Sequence, residues 1–360
     1  MRKILLIVLL TIGLFGCKKE ETYNQYRKVT YNAGFDTVFA LVGYTKSEVE
    51  FDRYFKMMEQ QAYEYHTLYD KYNDYQGINN IKTINDNAGI KAIEVDSRII
   101  DLLTMAKEYY DLTDGYFDIT IGAVLEKWHY CREQATNNGF GCVPTESELQ
   151  EAYQHTGWSL VEIDTDANTV YLTDAQASLD VGGIAKGYVV EKIALSLEAS
   201  GLKFGAVDGG GNIRTINQKP NDDPFTIGIT NPDNRGNISV DILSLHDSSS
   251  FVTSGDYERY YHDEYGNRYH HIIDPFTLYP SISARSITII TPNSAIADIL
   301  STALYVMDYQ TAISFLNDQN NDDISVIWLY DKDNHPDVEG IYVDEYFEII
   351  YGNVITNNRK

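Results

Sequence analysis

The chain has 360 residues, 43 % of them hydrophobic and 22 % charged, which suits one large catalytic domain or two smaller ones and excludes a disordered or polytopic protein. With 53 acidic against 28 basic side chains the formal charge is −25, an argument against nucleic acid or an anionic membrane surface as the main partner. A polyanionic small ligand then needs a local exception, such as a metal ion, a lysine or a helix N-terminus.

The N-terminus has the pattern of an export signal. Arg2 and Lys3 precede an apolar stretch, residues 4–15, that is too short for a permanent membrane span and stops at Cys17. Leu14-Phe15-Gly16-Cys17 resembles a bacterial lipobox, with the small Gly16 before the cysteine; the alternative is an ordinary signal peptide with a chance cysteine. The expected organisation is a signal peptide over 1–16, a polar tether over 17–30 from a lipidated Cys17, one catalytic domain over 31–352, and a polar tail over 353–360. Cleavage would remove two positive charges and leave a more acidic chain anchored to a bacterial membrane, facing the periplasm. No internal repeat or proline-rich linker divides the rest.

Within the domain, a strand is predicted over 37–44 and a helix from Ser47, which has capping-box spacing to Glu50. Phe51, Phe55, Met58, Ala62, Tyr65 and Tyr69 recur along that helix every three or four residues and form a core stripe. A second helix is predicted over 97–112. Cys131 and Cys142 lie in a short polar segment, where an oxidising compartment favours a local disulfide over two free thiols. Strands are predicted over 160–163 and 169–172 about a turn at 164–168, then over 225–230, 287–290, 324–330 and 347–351. Helices are predicted over 184–197 and from Ser294 to 306. Strands outnumber regular βα alternations, so the fold class is α+β with mixed or antiparallel sheets and flanking helices.

Four clusters could carry chemistry. Gly115-Tyr116-Phe117-Asp118 sets aromatics beside a carboxylate, suited to gripping a planar ring, although a buried turn is the commoner meaning of such a run. Asp180-Val181-Gly182-Gly183-Ile184-Ala185-Lys186-Gly187-Tyr188 puts paired glycines at a helix start, where free N–H groups and Lys186 suit a phosphate; its spacing is neither a P-loop nor a dinucleotide fingerprint. Asp208-Gly209-Gly210-Gly211-Asn212 is a tight loop that reads equally as a plain turn with positive φ. The fourth combines Thr253-Ser254-Gly255-Asp256-Tyr257, His270-His271-Ile272-Ile273-Asp274-Pro275, and Asp298 with Thr302 one helical turn on. Oxygen donors at that spacing suit Mg²⁺. The tandem histidines lack further ligands for zinc, which favours one of them as a base.

In order and spacing, from about Gly34 to Met307, these clusters resemble the FAD:protein FMN transferases, the ApbE-type lipoproteins. The resemblance implies a single ApbE-like catalytic domain that uses FAD as substrate with Mg²⁺, attaches FMN through its phosphate to a threonine or serine of a target protein, and releases AMP. Carried over by motif, Tyr116, Phe117 and Asp118 fall on a flavin-contacting turn. Asp180 and Lys186 fall on FAD-binding positions, Gly183, Asp298 and Thr302 on the metal positions, and His271 on the proposed catalytic base, itself in contact with FAD. Phe35 stands where a methionine is usual, Asp36 replaces a glycine, and Leu278 replaces another glycine. Tyr75 is the match to a flavin-contacting tyrosine, with Tyr72 as the alternative. The expected acceptor is a membrane redox subunit. The competing functions are an FAD pyrophosphatase that releases free FMN and AMP, and a non-catalytic flavin-binding lipoprotein.

Overall fold

The computed structural model describes residues 21–233, 239–245, 247–318, 323–354 and 356. The expected signal peptide and Cys17 lie outside the described residues. Nine strands form one sheet whose order from edge to edge is Asn24–Thr30, Phe39–Thr45, Gly205–Gly209, Asn212–Ile216, Ser250–Gly255, Ser286–Thr291, Ser325–Asp331, Tyr346–Tyr351 and Ile341–Val343. Every neighbouring pair in it is antiparallel. The α+β expectation holds.

The pleat explains how this sheet carries two cores. In Ser325–Asp331, Val326, Trp328 and Tyr330 point to one face and join the large core beneath the helices, while Ile327 and Leu329 point to the other. That second face packs under a two-stranded ribbon, Phe225–Thr230 with Ser239–Leu245, through Phe225, Ile229, Leu243 and Leu245. A strand buried on both faces reads as a continuous apolar run, which is how Ser-Val-Ile-Trp-Leu-Tyr reads. The helix Glu48–Tyr69 starts where predicted: Ser47 caps it by accepting the Glu50 N–H at 3.2 Å, and Phe51, Met58, Ala62 and Tyr69 are buried. Ser97–Leu112 also forms as the periodicity predicts.

Two boundaries need correction. The expected tether over 17–30 ends in an edge strand, Asn24–Thr30, paired along its length with Phe39–Thr45. An edge strand needs only one apolar face, so Tyr26 stacking on Phe51 at 5.6 Å and the buried Thr30 are enough to seat it. The expected polar tail over 353–360 includes Thr356, which is buried and bridges to Leu243. The remainder of that tail, residues 355 and 357–360, lies outside the described residues.

The helices that position the site are Ala185–Ala199 and Ser294–Val306, which pack closely because Gly187 faces the second helix. A Cβ there would lie 2.3 Å from the Ser294 carbonyl oxygen and 2.4 Å from the Asp298 Cβ. Buried Glu191 ties the pair further, accepting the Ser294 N–H at 2.7 Å and the Arg214 Nε–H at 3.0 Å. Asn293 caps the same helix start. Cys131, in the helix Gly122–Asn138, is joined to Cys142 by a disulfide.

Candidate active site

One cavity of about 700 Å³ collects the sequence-predicted residues from distant parts of the chain: Phe35, Tyr116, Phe117, Asp118, Asp180, Gly183, Lys186, His271, Asp298 and Thr302 all line it. Tyr75 does not line it. Tyr72, the alternative, does; its ring is half exposed and lies 5.4 Å from the His129 ring. Tyr75 instead braces the wall from behind. Its hydroxyl donates to Asp70 Oδ2 at 2.8 Å and lies 3.0 Å from His66 Nε2, while His66 Nδ1 accepts the Phe35 N–H at 3.2 Å. Asp70 Oδ1 accepts the Tyr72 N–H at 2.6 Å, so one buried carboxylate shapes the loop carrying Lys71 and Tyr72.

The turn at Gly34-Phe35-Asp36 is left-handed at three successive residues, with φ of 83°, 58° and 49°. Gly34 is required there, since a Cβ would fall 2.1 Å from the His66 ring. Asp36 and Leu278, where the family resemblance predicts glycine, both adopt the left-handed conformation, Leu278 at φ 66°. For Leu278 that conformation is held by its N–H to the Asp274 carbonyl at 2.8 Å and by the Trp128 indole donating to its carbonyl at 2.9 Å. Gly210 and Gly211, at φ 66° and 93°, make the two-residue hairpin turn expected of their loop.

The tandem histidines divide into one structural and one available ring. His270 is buried, with Nε2 on the Ser281 carbonyl and Nδ1 accepting the Ile272 N–H at 3.2 Å, so both nitrogens are used. His271 Nδ1 is buried with no hydrogen-bond partner among the described residues. Burial first, then the like charge of Arg259, hold the His271 pKa down to about 3, so the ring is neutral near pH 7 and can accept a proton. Asp256 lies outside the lining, where it accepts from Arg268 and from Arg285 Nε at 2.9 Å, anchoring the strand Arg268–His270 that leads into His271.

Asp118 accepts the Thr120 N–H at 2.8 Å and the Thr120 hydroxyl at 2.7 Å, yet burial pushes its pKa up to about 6. Burial would raise Asp180 as well, but Lys71 Nζ at 2.8 Å and the Gly182 N–H at 2.9 Å outweigh it and keep that carboxylate below its usual range. Lys186 donates to Asn212 Oδ1 at 3.1 Å, a neutral partner. Sequence reasoning missed Lys71, Arg132 and Arg259, all in the lining; no local motif marks any of them, because the fold alone brings them in.

For a metal, the donor chemistry decides. Asp298 is buried, its Oδ2 accepts the Gly187 N–H at 2.8 Å, and its other oxygen has no hydrogen bond among the described residues. The Thr302 hydroxyl sits 3.4 Å from the Asp298 carbonyl, a long back-bond, and 3.4 Å from where a Gly183 Cβ would lie. One carboxylate, one hydroxyl and a backbone position fit a hard cation that completes its shell with phosphate and water. No group of three His, Cys, Asp or Glu side chains arranged for a metal occurs among the described residues, so a zinc-type site does not fit.

The ApbE family model matches residues 35–328, a span that contains every lining residue named above. The chain belongs to the ApbE family. It is 32 % identical over 252 residues to the FAD:protein FMN transferase of Treponema pallidum, covering 66 % of this chain and 67 % of that protein. To the FAD:protein FMN transferase of Haemophilus influenzae it is 30 % identical over 254 residues, covering 69 % of this chain and 72 % of that one. The crystal structure of the ApbE protein of Thermotoga maritima superposes with a TM-score of 0.74 at 30 % identity, covering 85 % of this chain and 94 % of that chain. The ApbE fold thus accounts for the nine-stranded sheet and the helix pair behind Asp298.

Proposed function

We propose that this chain is a Mg²⁺-dependent FAD:protein FMN transferase that binds FAD in the 700 Å³ cavity and joins FMN, through its phosphate, to a threonine or serine of a target protein, with release of AMP. The observation that carries the proposal is the convergence, in one cavity of an ApbE-family chain whose relatives bear that name, of a neutral histidine, oxygen donors for a hard cation, and cations without an ion pair among the described residues.

In this reaction the acceptor oxygen attacks the FMN-side phosphorus and the P–O bond to AMP breaks, AMP leaving with the bonding pair. His271, neutral near pH 7, takes the hydroxyl proton and passes it to solvent. Lys186 offsets charge on the diphosphate, while Phe117, Tyr116 and Tyr72 offer aromatic surface to the ring system. Asp298, Thr302 and Gly183 would hold the metal, which supplies neutralisation of the diphosphate and alignment for in-line displacement. The helix Ser294–Val306 is fixed at its start by Glu191 and Asn293, so Asp298 is rigid before substrate arrives. The acceptor we propose is a membrane redox subunit facing the same compartment as an exported chain anchored through a lipidated Cys17.

Asp298→Ala tests the metal part. AMP formation from FAD should fall by about 100-fold or more, and added Mg²⁺ should no longer restore activity after EDTA treatment. Full activity in that variant, with undiminished Mg²⁺ dependence, would remove Asp298 from the site.

A further inference from the structure

The cavity lining carries six carboxylates and four cations, yet most of those cations are not ion-paired with the acids. Lys71 is paired with Asp180, but Arg132, Lys186 and Arg259, which come from three separate segments, have no carboxylate within ion-pair distance among the described residues. Arg132 is braced rather than neutralised: its Nη2 donates to His129 Nδ1 at 2.8 Å, and His129 Nε2 meets Glu133 at 3.0 Å. Lys186 is braced by the amide oxygen of Asn212, whose own Nδ2 is buried without a partner beside it. Arg259 is exposed at the rim. Arg132, Lys186, Arg259 and His271 all line the one cavity, and burial with the like charge of Arg259 lowers the Arg132 pKa. Arg132 and Lys186 are half-buried, and a cation held there without an ion pair is incompletely compensated for its lost hydration unless an anion enters the cavity.

We infer that Arg132 and Arg259 form, with Lys186, a cationic clamp for the diphosphate of FAD, and that the two guanidinium groups take up the charge that develops as the bond to AMP breaks. This rests on the proposed function only for its second half; the first half is a statement about FAD binding. Guanidinium groups suit this because they remain charged and can meet two phosphate oxygens at once. The braced His129–Arg132 pair keeps one N–H set occupied and leaves the rest of the fork for the ligand. Burial is the main reason His271 is a weak base in the free protein, and the two negative charges of the bound diphosphate would offset only the smaller part due to Arg259, Arg132 and Lys186.

The test is a titration of the full chain with FAD in EDTA, read by flavin fluorescence at low and at high salt, for the wild type, Arg132→Gln, Arg259→Gln and the two lysine variants. Each glutamine variant should weaken FAD binding about tenfold at low salt and flatten its salt dependence, while each lysine variant recovers part of the loss. The thermal midpoint of the FAD-free protein should hold in the glutamine variants, because neither arginine has an ion pair to lose among the described residues. FAD affinity and salt dependence equal to wild type would overturn the clamp, as would a change confined to the KM for an acceptor protein. A loss equal at low and high salt, with a lowered thermal midpoint, would assign the arginines to packing and also overturn it. Because binding is read without turnover, a chain that clamps FAD yet only hydrolyses it would refute the transferase reading and leave the clamp standing.

Discussion

Gly187→Ala separates two opposite expectations. Judged by helix propensity alone, the change stabilises, since glycine inside a helix is about 1 kcal/mol worse than alanine. The structure reverses the sign. The new methyl would lie 2.3 Å from the Ser294 carbonyl oxygen and 2.4 Å from the Asp298 Cβ, against ordinary contacts of 3.4–4 Å, so the two helices must part by roughly 1 Å. Overpacking of that size costs about 1–3 kcal/mol, more than the propensity gain. The same shift lengthens the 2.8 Å bond from the Gly187 N–H to Asp298 Oδ2 and moves the carboxylate relative to Thr302. Misplacement by about 1 Å can cost on the order of 100-fold in rate. Thermal melting by circular dichroism and AMP release from FAD, measured on one preparation, should therefore show a lower midpoint and a collapse of turnover with a raised Mg²⁺ requirement. A variant that melts higher and turns over normally would refute the claim that this glycine sets the helix spacing behind Asp298.

Three further outcomes follow from the same geometry. His271→Ala should retain FAD binding by fluorescence and lose transfer by roughly 10²–10⁴-fold, and full activity would remove the ring from the mechanism. Asp118 has a folded pKa of about 6, above its ordinary 3.8, so the folded state binds the extra proton. That contribution is present at low pH and is lost as pH rises from about 4 through 6, reaching about 3 kcal/mol at most. Asp118→Asn, which keeps an acceptor for Thr120, should raise the melting midpoint at pH 8 and abolish that slope; an unchanged pH profile of stability would contradict the burial argument. Replacing Cys131 and Cys142 by serine should lower stability by about 2–3 kcal/mol in chemical denaturation, with FAD binding intact, since the loop closed is short and lies at the edge of a small separate core.

What the sequence made legible was periodic or chemically loud. The stripe through Phe51, Met58 and Ala62, the helix over Ser97–Leu112 and the pairing of Thr169–Leu172 with Val161–Asp164 all declare themselves through spacing. The helix Gly122–Asn138 did not, because its buried side is only Ala123, Val124, Trp128 and Cys131 amid polar residues. The edge strand Asn24–Thr30 was hidden for a related reason: half of its surface faces water. In the site, the residues between Asp180 and Lys186 were readable because glycines at a helix entrance carry a backbone meaning. Tyr72 and Tyr75 could not be told apart, since both are tyrosines in one irregular loop and only the Asp70 and His66 contacts send Tyr75 behind the wall. Lys71, Arg132 and Arg259 are legible only in three dimensions, where the question becomes which cations lack a carboxylate.

An acidic chain can still take a polyanion where Arg132, Lys186 and Arg259 line the cavity without a carboxylate partner among the described residues. The central claim is that the phosphoryl group leaving that cavity ends on a protein. Incubating the full chain with FAD, Mg²⁺ and a candidate acceptor protein, then following the acceptor by mass spectrometry and AMP by chromatography, measures this directly. The account predicts covalent FMN on one threonine or serine of the acceptor, with one AMP formed for each flavin attached. AMP and free FMN in equal amounts, with the acceptor unmodified, would contradict it.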